Sequence, residues 1–171
     1  MTTPPFEPAS DRDIAVVSAQ LGRPARGVLG IAARCVCGNP TVVATAPRLP
    51  GVGTPFPTLY YLSHPAATAA MSRLEADHVM VELQDLLATD AGVQAAYRRA
   101  HEAYLADRES IEVVDEIRGF SAGGMPTRVK CLHALAAHAL AAGAGVNPIG
   151  DLALERGNWS PAVCECADYG L

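Results

Sequence analysis

The sequence predicts an α+β protein, with a small antiparallel sheet of about three strands packed against a helical layer. Short apolar and β-branched segments separated by turn residues fill the stretch from Gly27 to Leu62. From Pro65 onward, apolar residues recur at helical spacing. No internal repeat and no long linker divides the chain, so residues 11–171 are expected to form a single domain behind a flexible Pro-rich tail over 1–10.

The elements follow in order. Ser10 before Asp11, Arg12 and Asp13 has the form of a helix N-cap with acidic first-turn residues, and Ile14, Val17 and Leu21 share a face before Gly22. This predicts a helix over 11–21. Gly27–Arg34 and Thr41–Thr45 read as strands, and Gly38-Asn39-Pro40 between them is turn chemistry, so Cys35 and Cys37 belong at a hairpin tip. A rigid Pro/Gly loop, Pro47–Pro57, leads to a third strand at Thr58–Leu62. Pro65 suits a first helical position, and the spacing of Met71, Leu74, His78, Val81 and Leu86 predicts one helix to about Leu87. Asp90 caps a further helix carrying Val93, Tyr97, Ala100 and Tyr104, and Glu109–Arg118 adds a turn or two. The glycine-rich Ser121–Gly124 leads into Pro126 and a long Ala-rich helix ending at Gly143. A loop at Asn147–Gly150, a short helix over Asp151–Arg156 and an irregular ending from Trp159 complete the chain.

Composition narrows the function. Of 171 residues, half are hydrophobic and only 5% aromatic, so the core is packed with small aliphatic side chains that favour close helix approach. A formal charge of −5 argues against general nucleic-acid binding, which depends on a basic surface neutralising phosphates. The opening MTTPPFEPAS lacks the basic and apolar regions of a secretory signal. The most apolar stretch, Ala134–Val146, is too short to span a bilayer. A cytoplasmic protein with reduced thiols is expected.

Five cysteines therefore need an explanation other than disulfides. They fall in three words: Cys35-Val36-Cys37, a lone Cys131, and Cys164-Glu165-Cys166. Thiolates are soft anionic ligands, and four of them suit zinc or, alternatively, an iron–sulfur cluster. A bend at Gly38 lets both hairpin thiols face one ion, and metal ligation gives an irregular C-terminal segment a reason to be ordered. Cys35, Cys37, Cys164 and Cys166 are the first-choice ligands of a structural zinc, with Cys131 next and His133 as a substitute. The plainer reading is that small cysteines fill the core.

Gly123 and Gly124, placed before a helix, offer backbone amides to an anion, and Arg128 and Lys130 add charge, so a small anionic ligand is a possible partner. The Walker A spacing is absent. Set a turn into that helix, Cys131 is the candidate nucleophile of a cysteine-dependent enzyme, with His133 pointing away on another face and a base such as His64 or His78 coming from elsewhere. Glu75-Ala76-Asp77-His78 matches one Glu-x-x-His word of di-iron bundles, without the second such word they need. The acidic run Glu109, Glu112, Asp115 and Glu116 reads as a solvated face, and Arg48 sits in a loop able to reach a site.

Three stretches are distinctive together: ARCVCGNPTVVATAPRLPGVGTPFPTLYYLSHP (33–65), SAGGMPTRVKCLHALAAHALAAGAGVNPIGD (121–151) and ALERGNWSPAVCECADYG (153–170). Words such as PFPTLYYL and GMPTRVKCLH make the chain, from about Gly27 to Gly170, resemble the actinobacterial family known as domain of unknown function, family 501. Gly51-Val52-Gly53 stands where an acidic turn residue is more usual. The resemblance implies a bacterial cytosolic setting. It supplies no activity, substrate or catalytic residue, and the metal hypothesis rests on its own chemistry.

Overall fold

The computed structural model describes residues 4–171, in which an antiparallel sheet is covered on both faces by helices. The strands are β1 (Glu7–Pro8), β2 (Val28–Arg34), β3 (Pro40–Thr45) and β4 (Tyr60–Leu62), ordered β1-β2-β3-β4 with every pairing antiparallel. The helices among the described residues are α1 (Asp11–Leu21), α2 (Pro65–Ala76), α3 (Val79–Thr89), α4 (Ala91–Ile111), α5 (Leu132–Ala142) and α6 (Pro148–Arg156), with a 3-10 turn at Asp115–Ile117. No helix among the described residues is long and apolar enough to cross a membrane.

The sheet has four strands rather than about three. The added strand comes from the segment read as a flexible tail, of which residues 1–3 lie outside the described residues. Glu7 and Pro8 pair with Ile31 and Gly30, and a side chain on Gly30 would collide with the Glu7 carbonyl and the Phe6 ring. A glycine in β2 is thus what admits β1.

Strand β3 shows how the layers are built. All six of its residues are buried, and its alternation sends Val42 and Ala44 into the main core while Val43 joins Val17 and Ile31 on the opposite face, where α1 lies. Helix α1 starts at a capping box, with Ser10 Oγ accepting from the Asp13 amide and Asp13 accepting from the Ser10 amide. On the other face, α5 is buried along most of its length, and Ala136, Ala137, Ala139 and Ala141 let its neighbours close in. Against it Gly150 of α6 sits so near that a Cβ would strike the Leu135 carbonyl and approach the Ala139 methyl to 2.8 Å.

Three boundaries differ from the sequence reading. The helix expected from Pro65 to Leu87 is two, because His78 adopts a left-handed backbone (φ 60°) that ends α2 and turns the chain into α3. The Ala-rich helix begins at Leu132, since residues 123–130 fold on themselves through Arg128 N–Gly124 O and Lys130 N–Gly123 O hydrogen bonds of 2.9 and 2.7 Å. Helix α6 starts earlier than expected, at Pro148, where the Asn147 side chain accepts from the Gly150 amide.

Candidate metal centre

The loop between β2 and β3 is closed by two short backbone bonds: the Cys35 amide donates to Asn39 O at 2.9 Å and the Gly38 amide to Cys35 O at 2.8 Å. Gly38, at φ 90°, makes the bend that brings Cys35 and Cys37 round to one side. Arg34, the last residue of β2, braces the turn by donating to Gly38 O at 2.9 Å while gripping both Asp13 carboxylate oxygens at 2.7 and 3.0 Å. That grip holds the Asp13 carboxyl far below the usual carboxylate range. Asp13 thus serves α1 as a cap and the hairpin as an anchor.

The C-terminal segment arrives from α6 through Trp159, buried against the His64 ring at a centroid distance of 5.2 Å. Beyond it, Pro161 O accepts from the Val36 amide at 2.8 Å, which lays the segment against the hairpin loop. The two words then meet. The sulfur atoms of Cys35, Cys37, Cys164 and Cys166 all lie within 4.8 Å of one another, although the words are more than a hundred residues apart. Cys37 Sγ and Cys166 Sγ are 3.4 Å apart, beyond the disulfide bond length, and all five cysteines of the chain are free thiols.

Each thiol has a different environment. Burial pushes Cys35 and Cys166 up, whereas the Asn39 amide draws Cys37 down to about 7. Four sulfurs at this spacing repel one another once ionised, and a cation is what makes the fully ionised set tolerable. A tetrahedral ion with metal–sulfur bonds of about 2.3 Å has sulfur–sulfur edges of about 3.8 Å. The observed separations, 3.4 Å for Cys37–Cys166 and none above 4.8 Å, bracket that edge.

His64 is the part of this centre that the sequence pattern does not disclose, since the pattern offers it only as a base from elsewhere in the fold for Cys131. As N-cap of α2, its Nδ1 accepts from the Ala67 amide at 3.4 Å. The proton must then sit on Nε2, which points at Cys166 Sγ 3.2 Å away. Complete burial keeps the ring neutral, in agreement with that tautomer. A buried N–H donor to a thiolate orients the ligand and tunes its basicity. The signal available in the sequence was His64-Pro65, a capping residue before a first-position proline.

Cys131 lies elsewhere. Its sulfur gathers with Glu75 and His133, again with ligand atoms within 4.8 Å of one another. Cys131 is the N-cap of α5, with extended backbone (φ −150°), rather than a residue inside the helix. The helical-face argument that turned His133 away from it therefore fails. His133 lowers the Cys131 thiol, the Ala134 amide adding to the effect, and Cys131 in turn raises His133. The expected opening of glycine amides onto a helix end is absent too: the Leu132 amide at the start of α5 donates to Glu75 Oε1 at 2.8 Å. Arg128 and Lys130 are exposed and border a shallow groove with Met80, Val81, Gln84 and Asp85.

The remaining candidates are structural. His78 is exposed at the α2–α3 break, so the Glu-x-x-His word does not converge. Arg48 bridges Glu116 at 2.7 Å and Glu112 at 3.3 Å, tying the Pro-rich loop to the acidic run. His138 is buried against the Tyr60 and Tyr104 rings, and burial pushes it down to about 4.

The model of the family described as "Protein of unknown function (DUF501)" matches residues 31–155. The chain belongs to that family. The DUF501 match includes Cys35, Cys37 and the whole Glu75–Cys131–His133 group, and ends before Cys164 and Cys166. No curated protein and no solved structure matches the chain.

Proposed function

We propose that this DUF501 protein is a metal-binding protein in which Cys35, Cys37, Cys164 and Cys166 hold one zinc ion in a structural role. The observation that carries the reading is the mutual approach of four sulfurs to within 4.8 Å across the two words. Zinc takes four thiolates in closed structural sites, where binding energy is also folding energy. The compact spacing supports a single ion over an iron–sulfur cluster, because a cluster interposes several iron and sulfide atoms between its cysteines. The ion fastens the C-terminal segment to the β2–β3 loop, with His64 donating to Cys166.

The test is elemental analysis with a visible spectrum on full-length protein purified without oxygen or added metal. Colourless protein with zinc bound through these cysteines is the expected result. A brown sample with a broad visible band would replace zinc by iron, and colourless, metal-free protein whose C-terminal segment is nonetheless ordered would end the proposal.

A further inference from the structure

The second group of donors is built differently. Glu75 comes from the last full turn of α2, and Cys131 and His133 from the start of α5, two elements packed side by side. His64, beside the four cysteines, caps the opposite end of α2. Glu75 lies eleven positions further on, about 16 Å along a helix axis, so the two groups cannot share one ion.

A carboxylate, a thiol and an imidazole brought within 4.8 Å are the three donor types that zinc accepts. Their supports are in place. The Leu132 amide fixes the Glu75 carboxylate at 2.8 Å, and Ser72 Oγ lies 3.1 Å from His133 Nε2. His133 Nδ1 and Glu75 Oε1 face each other at 3.2 Å. The Glu75 and His133 side chains each keep 27% of their surface exposed, so water reaches the group. It differs from the four-thiolate site in the number of protein donors, three rather than four.

We propose that Glu75, Cys131 and His133 form a second divalent-metal site, of zinc type, with three protein ligands and a fourth position open to water or a small ligand. Three ligands with one open position is the arrangement by which zinc activates water or polarises a bound oxygen. Loading the site releases the Cys131 thiol proton to solvent, and the His133 ring proton moves from Nδ1, facing Glu75, to Nε2, facing Ser72 Oγ, which frees Nδ1 for the ion. Arg128 and Lys130, in the segment just before Cys131, place positive charge in the same connection.

The experiment uses the full chain, zinc titration and peptide-mapped alkylation under anaerobic conditions. Wild type is expected to hold two equivalents of zinc, and Cys131→Ser and Glu75→Gln one each. Cys37→Ser is expected to lose the other equivalent while keeping this one. Because a change at the start of α5 can disturb folding, the wild type also gives a direct reading: alkylation of Cys131 slows at least about tenfold on zinc addition, since a coordinated thiolate is a poor nucleophile. One equivalent lost in Cys131→Ser but retained in Cys37→Ser would support this site while refuting the four-cysteine centre. Cys131 alkylation indifferent to zinc, or Cys131→Ser and Glu75→Gln binding as much zinc as wild type, would overturn the proposal.

Discussion

Chelating the metal should release the C-terminal segment and leave the rest of the fold standing. From Ser160 to Leu171 no residue is buried, so hydrophobic burial does not hold this stretch in place. Fixing a backbone costs about 1–2 kcal/mol per residue, hence about 7–14 kcal/mol for the stretch Ser160–Cys166. The backbone bond from Val36 to Pro161 returns only about 1 kcal/mol. Four zinc–thiolate bonds, worth about 10–16 kcal/mol in structural sites, are of the size needed to close that gap. The core formed by β3, β4 and the helices, by contrast, draws only Trp159 from beyond α6. Hydrogen exchange read by mass spectrometry, with and without chelator, should show peptides over 160–171 exchanging near the unprotected rate in the apo protein while α5 stays protected. Unchanged protection of the C-terminal peptides after complete metal removal would refute the reasoning.

Three further outcomes are expected. His64→Phe keeps a ring against Trp159 but removes the donor to Cys166, and should weaken zinc binding roughly tenfold in a chelator competition; unaltered affinity would deny His64 that role. His138 is held near 4 against its ordinary 6.5, so below pH 6.5 the unfolded chain takes up a proton that the folded chain refuses. Wild type should therefore lose about 3 kcal/mol between pH 6.5 and 4 that His138→Leu does not lose, as read from urea midpoints, and parallel pH profiles would contradict this. Gly150→Ala forces a methyl into the Leu135 carbonyl and should cost about 1–3 kcal/mol of stability, visible as a lower urea midpoint.

Local chemistry was legible where a residue's own neighbours decide the outcome. Ser10 and Asp90 announce the starts of α1 and α4, and the Cys35–Asn39 turn announces the hairpin loop. The meeting of Cys35 and Cys37 with Cys164 and Cys166 was also accessible, through the ligand chemistry the four share. Features decided by distant partners were not legible. Glu7–Pro8 is a strand only because Gly30 admits it, and nothing in MTTPPFEPAS says so. His78 takes a left-handed backbone within an otherwise unbroken helical pattern, which hid the α2–α3 break. Misplacing the start of α5 had the largest consequence. A Cys131 inside a helix puts His133 on another face, whereas the extended N-cap backbone of Cys131 lets both residues converge on Glu75.

X-ray absorption at the metal edge, on the Cys131→Ser variant to leave the four-cysteine centre alone, measures the ligand shell itself. A single shell of four sulfur atoms at about 2.3 Å around zinc is the predicted result. A shell dominated by nitrogen or oxygen, or iron–iron scattering, would mean that these four thiolates do not hold a lone zinc ion.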